Sequence, residues 1–318
     1  KLGAVSFYTS LQHSITCQNQ IAGAIIRSMQ ASFKTVALIG KYKSSEIGEP
    51  LLRLAKFLVE QGYQVLVARQ TAEAIENPGY GLADLSEIGE RADVAIVLGG
   101  DGIMLNIARQ LVSHHVPLIG INQGRLGFLT DVSIDTMLDT IGEMLRGDYT
   151  GEDRILLNAV VRRNGASVSD EVAFNDVVVS KGSAGRLIEF EVFIDGQFVY
   201  SQRSDGLVVA TPTGSTAYAL SSGGPILHPT LEAMVLVPIC PHTLSARPIA
   251  VNSHSVVEIT LTYADDARVH FDGQHHFDLS VGDKIVIQRT ENTIRLLHPL
   301  GHSYYDTLRQ KLHWGEKL

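Results

Sequence analysis

Four short stretches gather residue types that handle phosphates and hydroxyls. Gly99-Gly100-Asp101-Gly102 lies between an apolar run, Val94 to Leu98, and a helical pattern that begins near Ile103. A glycine turn that opens a helix lets backbone N–H groups approach a phosphate at the positive end of the helix, where a Cβ would stand in the way. Asp101 is the one ionisable side chain of the turn. It can accept a proton from a bound hydroxyl, hold a metal that bridges phosphates, or simply cap the helix. The turn is not a standard nucleotide fingerprint: the third glycine of the dinucleotide pattern is missing, and the chain has neither a Gly-Lys-Ser/Thr loop nor a His-Arg-Asp loop.

The second stretch, Asn122-Gln123-Gly124-Arg125-Leu126-Gly127-Phe128-Leu129, also follows an apolar run, Pro117 to Ile121. Two adjacent strands that end in glycine turns can form the lips of one cleft, with Asn122 supplying hydrogen bonds and Phe128 an apolar wall; a helix cap and a core phenylalanine are the alternative. Phe174-Asn175-Asp176 precedes Val177 to Val179, and its amide and carboxylate can fork around a ribose diol or make an Asx turn. The fourth stretch runs from Asp205 through Thr211-Pro212-Thr213-Gly214-Ser215-Thr216-Ala217-Tyr218 to Ser221 and Gly223-Gly224-Pro225. Its hydroxyls and small residues suit close backbone approach to a polar, phosphate-bearing ligand, with Tyr218 available for stacking.

These residues need elements to position them. From Thr35, β-branched runs alternate with amphipathic stretches: Val36 to Ile39, Pro50 to Glu60, Gln64 to Ala68, Val94 to Leu98, Ile103 to Val112, Pro117 to Ile121 and Ile134 to Leu145. That rhythm predicts a parallel, Rossmann-like α/β sheet, and the unalternating Val94 to Leu98 run predicts a strand covered on both faces. After about residue 150 the period becomes two, as in Ile188 to Ile194 ahead of Asp195-Gly196, and a second Asp-Gly follows at Asp272-Gly273. Asp-Gly is a strong hairpin signal, so this half reads as an all-β, sandwich-like domain. The expected organisation is an extension at 1–30 outside the fold, an α/β domain at 31–150, an all-β dinucleotide-binding domain at 151–298, and a C-terminal helix at 299–318 that returns to the first domain.

Composition limits the function. With 318 residues, core size is not limiting. Lys and Arg number 26 against 34 Asp and Glu, a net charge of −8, which argues against nucleic-acid coating and polybasic membrane binding. No apolar run approaches the roughly 20 residues of a membrane span. Two cysteines, Cys17 and Cys240, make no disulfide framework and no cysteine zinc site, so a cytoplasmic location is expected. The twelve histidines include two doublets, but neighbouring residues face different ways and no HExxH spacing occurs, so no metal site is assigned from them. A substrate contact by His242, His270, His275 or His276 stays open.

Taken in order, these motifs resemble the NAD kinase family, together with Pro241-His242-Thr243-Leu244-Ser245-Ala246-Arg247-Pro248, which is similar to the bacterial branch. The resemblance covers about residues 35 to 300. It implies an alcohol-acceptor phosphotransferase that moves the terminal phosphoryl group of ATP, with Mg²⁺, to the 2′-hydroxyl of the adenosine ribose of NAD. Asp101 would take the hydroxyl proton while Gly99, Gly100 and Gly102 hold phosphates. Asn175 and Asp176 would contact the nicotinamide-side ribose, Phe128 would line the dinucleotide pocket, and Thr213, Thr216, Ala217, Tyr218 and Ser221 would hold the adenine side. Asp205 would reach a neighbouring subunit's site, which implies a homodimer or homotetramer. Ile103 stands where the family usually has Thr, putting a hydroxyl contact to the donor phosphate in doubt. Lys41 and Lys43 are solvated loop charges or contacts to the donor triphosphate. A non-catalytic dinucleotide sensor and a lipid kinase with the shared Gly-Gly-Asp-Gly are the competing classes.

Overall fold

The computed structural model describes residues 33–40, 47–73, 75, 79–124, 126–182 and 186–314. The extension at 1–30 with Cys17, the first-turn lysines Lys41 and Lys43, and Arg125 lie outside those residues. Seven strands come first: β1 (Thr35–Gly40), β2 (Gln64–Ala68), β3 (Gly81–Ala83), β4 (Val94–Leu98), β5 (Leu118–Asn122), β6 (Val132–Ser133) and β7 (Tyr149–Arg154). β3, β2, β1, β4 and β5 pair in parallel in that order. The strand order reverses between β1 and β4, and in an open α/β sheet the crevice outside the strand ends at such a switch point is where ligands bind.

Alternate residues of the strands feed two cores. Val36, Leu38, Val94 and Ile96 face one layer with the helices Gly48–Glu60 and Met137–Leu145. Ala37, Ile39, Ala95 and Val97 face the other, with Leu85–Arg91 and Asp101–Leu111. The helix Asp101–Leu111 presents Met104, Ile107, Ala108 and Leu111, spaced at one helical face, to the sheet. All of β4 is buried, as its unbroken apolar run requires. Truncating Ile96 to Ala would cost about 2–5 kcal/mol, the lost transfer energy plus a cavity.

Twelve strands follow: β8 (Leu157–Arg163), β9 (Ala166–Ala173), β10 (Asp176–Lys181), β11 (Ile188–Ile194), β12 (Gln197–Ser204), β13 (Gly206–Ala210), β14 (Ala233–Ile239), β15 (Ile249–Asn252), β16 (Val257–Tyr263), β17 (Ala267–Phe271), β18 (His275–Leu279) and β19 (Lys284–Arg289). They form two antiparallel sheets, β15-β14-β13-β10-β17-β18 and β12-β11-β16-β19-β8-β9. One core joins their inner faces, with Val177, Val179, Leu207 and Val209 from the first against Phe190, Ile259, Ile285 and Ile287 from the second. Both Asp-Gly pairs make hairpins, with positive φ at Asp195, Gly196, Asp272 and Gly273. A further layer covers the outside of β10, β13 and β14, where Val178, Val208 and Val235 pack with Ala219 and Leu227. This explains why those three strands read as unbroken apolar runs.

The last strand, β20 (Ile294–Pro299), departs from the sequence reading, which puts it with the all-β half. It pairs antiparallel to β7 and parallel to β5 in the first sheet. Period-two alternation reports a strand but not which sheet receives it. The helix Tyr304–Leu312 follows, its first turn capped by the Ser303 side chain, which accepts from the Asp306 N–H. It buries Thr307 and Leu308, and Lys311 sets its ammonium 5.7 Å from the centre of the Phe128 ring.

Candidate active site

The carboxylate of Asp101 is held from the neighbouring strand end. Asp101 is the first residue of its helix, following the extended Gly100. Its Oδ2 accepts from the N–H of Phe128 at 2.9 Å, and its Oδ1 from the N–H of Leu129 at 3.0 Å and the Thr130 hydroxyl at 3.3 Å. So the two glycine-bearing stretches do meet, and they meet through this side chain. Gly127 is required at the junction, because a Cβ there would land on the Asp101 carboxylate. A carboxylate offers about four lone-pair sites, so three donors leave it acceptor capacity for a substrate hydroxyl. Space is open on the side of Gly100 where a Cβ would point, and Ile103 packs its side chain over Gly99.

Two clefts lie near this junction, and Asp101 and Phe128 are in the lining of neither. The larger, about 770 Å³, sits at the switch point and is lined by Gly40, Arg69, Asp84, Gly102, Ile103 and Asn106, among others. The smaller, about 370 Å³, is lined by Asn175, Asp176, Val178, Ser180, Ala217, Tyr218, His270, Asp272 and Gly273. The β17–β18 turn stands between them: Asp272 and Gly273 face the smaller cleft, while Gln274 and His275 face the larger. Gln274 donates its Nε2 hydrogen to the Gly102 carbonyl at 2.7 Å, docking the turn on the glycine motif.

Asp272 is the residue that sequence reasoning missed. Its buried carboxylate accepts from the N–H groups of Phe174, Asn175 and Asp176 at 3.0, 2.7 and 3.2 Å, and from Arg109 Nη1 at 2.7 Å. It therefore fixes the Asn175-Asp176 backbone to the helix that begins at Asp101. The Asp-Gly signal marked the turn but not this role, and nothing in the spacing paired Arg109 with a residue 163 positions later.

Asp176 is buried, and no described side chain hydrogen-bonds its carboxyl. Burial first, and then the charge of Asp272, push its pKa up to about 7. The stretch that ends in Tyr218 packs on the same strand start: the Thr211 hydroxyl donates to the Phe174 carbonyl at 2.7 Å, and a Cβ at Gly214 would strike the Asn175 backbone. Ala217 and Tyr218 line the smaller cleft, with Tyr218 exposed, and Ser221 is exposed on the short helix Tyr218–Ser221. Thr216 turns its hydroxyl back to the Thr213 carbonyl, and Thr213 faces inward, where its Oγ1 accepts from Arg154 at 3.1 Å. Thr213 thus supports the turn rather than lining the cleft. Asp205 stands at the opposite end of β13 from Thr211 and pairs with Lys181 at 2.8 Å, so the site formed within one chain does not include it. Of the four histidines left open, His270 lines the smaller cleft and His275 the larger. Burial, then the charges of His276 and Arg268, lower the His270 pKa.

Residues 36–149 match the ATP-NAD kinase N-terminal domain, and residues 174–298 match the ATP-NAD kinase C-terminal domain. An NAD kinase of Thiobacillus denitrificans is 60% identical over 290 residues, covering 91% of this chain and all of the relative. One of Chromobacterium violaceum is 56% identical over the same length and coverage. Among solved structures, yeast NADH kinase complexed with NADH superposes with a TM-score of 0.83 at 25% identity, over 91% of this chain and 90% of that one. An NAD kinase from Archaeoglobus fulgidus in complex with ATP gives 0.69 at 25% identity, over 88% and 98%.

Proposed function

The chain belongs to the NAD kinase family, and from that premise we propose that it transfers the terminal phosphoryl group of ATP to the 2′-hydroxyl of the adenosine ribose of NAD, yielding NADP and ADP. The observation that carries this reading is the hold on Asp101: three donors from the loop after β5 fix its carboxylate, in the turn whose Gly102 lines the larger cleft. NAD takes the smaller cleft, where Asn175 and Asp176 meet a ribose and Ala217 and Tyr218 the adenine side. ATP takes the larger, with its phosphates toward Gly99, Gly100 and Gly102. Asp101 accepts the proton of the 2′-hydroxyl as the oxygen attacks the γ-phosphorus, and ADP leaves in line. Such a reaction depends mainly on positioning and charge neutralisation.

Mg²⁺ would be held here chiefly by the nucleotide phosphates and water. Asp84 and Asn106 line the cleft, and with Asp84 Oδ1 paired to Arg69 at 3.0 Å the wall would offer the ion one carboxylate. When bound, it offsets phosphate charge. Arg69, in the same wall, pairs with Asp84 at 3.0 Å and would turn from it to the triphosphate when the nucleotide binds.

No helix among the described residues is long and apolar enough to cross a membrane. The reading includes a cytoplasmic homodimer or homotetramer, as the family resemblance implies. Incubation with NAD, ATP and Mg²⁺, with NADP⁺ followed through an NADP-specific dehydrogenase, tests the activity. Steady production of NADP⁺ supports it, and its absence from folded protein overturns it. Parallel reactions with NADH and with polyphosphate identify the acceptor and donor range.

A further inference from the structure

Behind the loop that grips Asp101 lies a buried polar cluster that the reaction does not use. Asp131 follows Thr130 directly, so residues 128–131 carry the three donors to Asp101 at one end and this carboxylate at the other. Asp131 Oδ2 faces Nδ1 of His298 at 2.8 Å and Nδ1 of His302 at 2.9 Å. The side chains are 7%, 4% and 16% exposed, respectively. An ionised carboxylate only accepts, so each Nδ1 carries its hydrogen toward it. The groups facing His298 come from two further elements: Glu152 and Arg154 on β7, and His302 in the turn after β20, with Tyr304 of the last helix beside Glu152 and Arg154. Glu152 Oε2 is 3.6 Å from His298 Nε2 and 3.0 Å from Arg154.

The three donor atoms at Asp131, His298 and His302 lie within 4.8 Å of one another, which raises the question of an ion. The ring geometry answers it. The two imidazoles are stacked, 4.3 Å apart and 12° from parallel, so their in-plane nitrogen lone pairs run side by side instead of converging as a tetrahedral site requires. Charge points the same way. Asp131 and Glu152 bring two negative charges against one from Arg154, and one proton on His298 balances the set.

We propose that His298 is a positioning residue for phosphoryl transfer: its imidazolium holds Asp131 and, through the backbone of residues 128–131, fixes the direction in which the Asp101 carboxylate points. The proposal rests on Asp101 being the base. Burial lowers the His298 pKa, but the hydrogen bond to Asp131, the nearby Glu152 carboxylate and the charge of Asp131 outweigh it, and the net shift is upward. Burial likewise raises Asp131, and the two histidines more than reverse it, holding that carboxyl at about 2. Because the folded pKa of His298 lies above its ordinary 6.5, its contribution is fully present below about 6.5 and is lost as pH rises through the folded value.

The test combines nitrogen-15 NMR titration of the histidines in the full chain with kinetics of Asp131→Asn and His298→Asn from pH 6 to 9. His298 of the unsubstituted protein is expected to titrate above 6.5. Asp131→Asn is expected to lower kcat about tenfold while KM for ATP stays within about twofold, since misdirected groups lose rate before they lose binding. His298→Asn keeps a neutral N–H near the position of Nδ1. It is expected to lower kcat about threefold at pH 7 and to abolish the decline that the parent shows as pH rises through the His298 pKa. The proposal is overturned if His298 titrates at or below 6.5, if Asp131→Asn keeps kcat within about twofold, or if His298→Asn follows the parent pH profile. Should a variant fail to fold, the pH profile of kcat in the unsubstituted protein decides, and a profile with no decline at the pH where His298 titrates overturns the proposal. Failure of the base assignment is read separately, from turnover in Asp101→Asn.

Discussion

Two of the candidate aspartates, Asp101 at the start of its helix and Asp176 in the lining of the smaller cleft, live under opposite conditions. Asp101 has donors on both carboxylate oxygens from a loop that a glycine brings against it, so its direction is set before any ligand arrives. Asp176 is buried next to the charge of Asp272, has no hydrogen-bond partner for its carboxyl among the described residues, and has its pKa pushed up to about 7. One carboxylate is preorganised by the protein, and the other waits for a donor. Under the proposed function the contrast matches a group that reacts, held in advance, and a group that recognises, left open to the cleft.

Asp101→Asn should break the comparison hardest. The change is nearly isosteric but removes the base, and turnover should fall by about 10³-fold or more with NAD affinity retained by calorimetry. Near-normal turnover would falsify the assignment. The next effect is structural: Arg109→Met strands the buried Asp272 carboxylate and should lower unfolding free energy by about 3–5 kcal/mol in a urea titration, an unchanged midpoint showing that the hub is dispensable. Asp176→Asn should act through pH. The folded state holds the Asp176 proton up to about pH 7 whereas the unfolded chain releases it near 3.8, so parent stability declines between those values. The variant should therefore melt higher by roughly 4 °C at pH 8 and nearly level with the parent at pH 4.5, and a pH-independent difference would contradict the neutral-acid reading. Smallest is Ile103→Thr, which restores a hydroxyl beside the larger cleft and should lower KM for ATP about twofold; a rise would show that Ile103 packing over Gly99 matters more.

Local physics made much of this legible. The strands Gln64–Ala68, Val94–Leu98 and Ile188–Ile194 follow from their residue types alone, and both Asp-Gly pairs turn where their tolerance of positive φ places them. The helix Leu85–Arg91, with only Ile88 fully buried, is too short to declare its period, although Asp84 and Glu87 form a capping box at its start. The candidates Asn175, Asp176, Ala217 and Tyr218, which line one cleft, are legible as candidates because glycines and polar residues cluster where apolar strands end. The direction of the Thr213 side chain is not legible in the sequence, because a hydroxyl in such a turn can face either way, and here a buried arginine claims it.

The sequence by itself determined the alternation of strand and helix, the change to period two, and the types of the chemical groups, since each depends on neighbours within a few residues. Tertiary structure alone decided that β20 returns to the first sheet, that Asp272 ties Arg109 to the Asn175 backbone, and that Asp131 joins two histidines from the C-terminal segment. Those contacts link residues more than 90 positions apart, and no local preference encodes which distant partner will satisfy a buried charge. That choice is made only when the cores close and every buried polar group must find a partner in the space that remains.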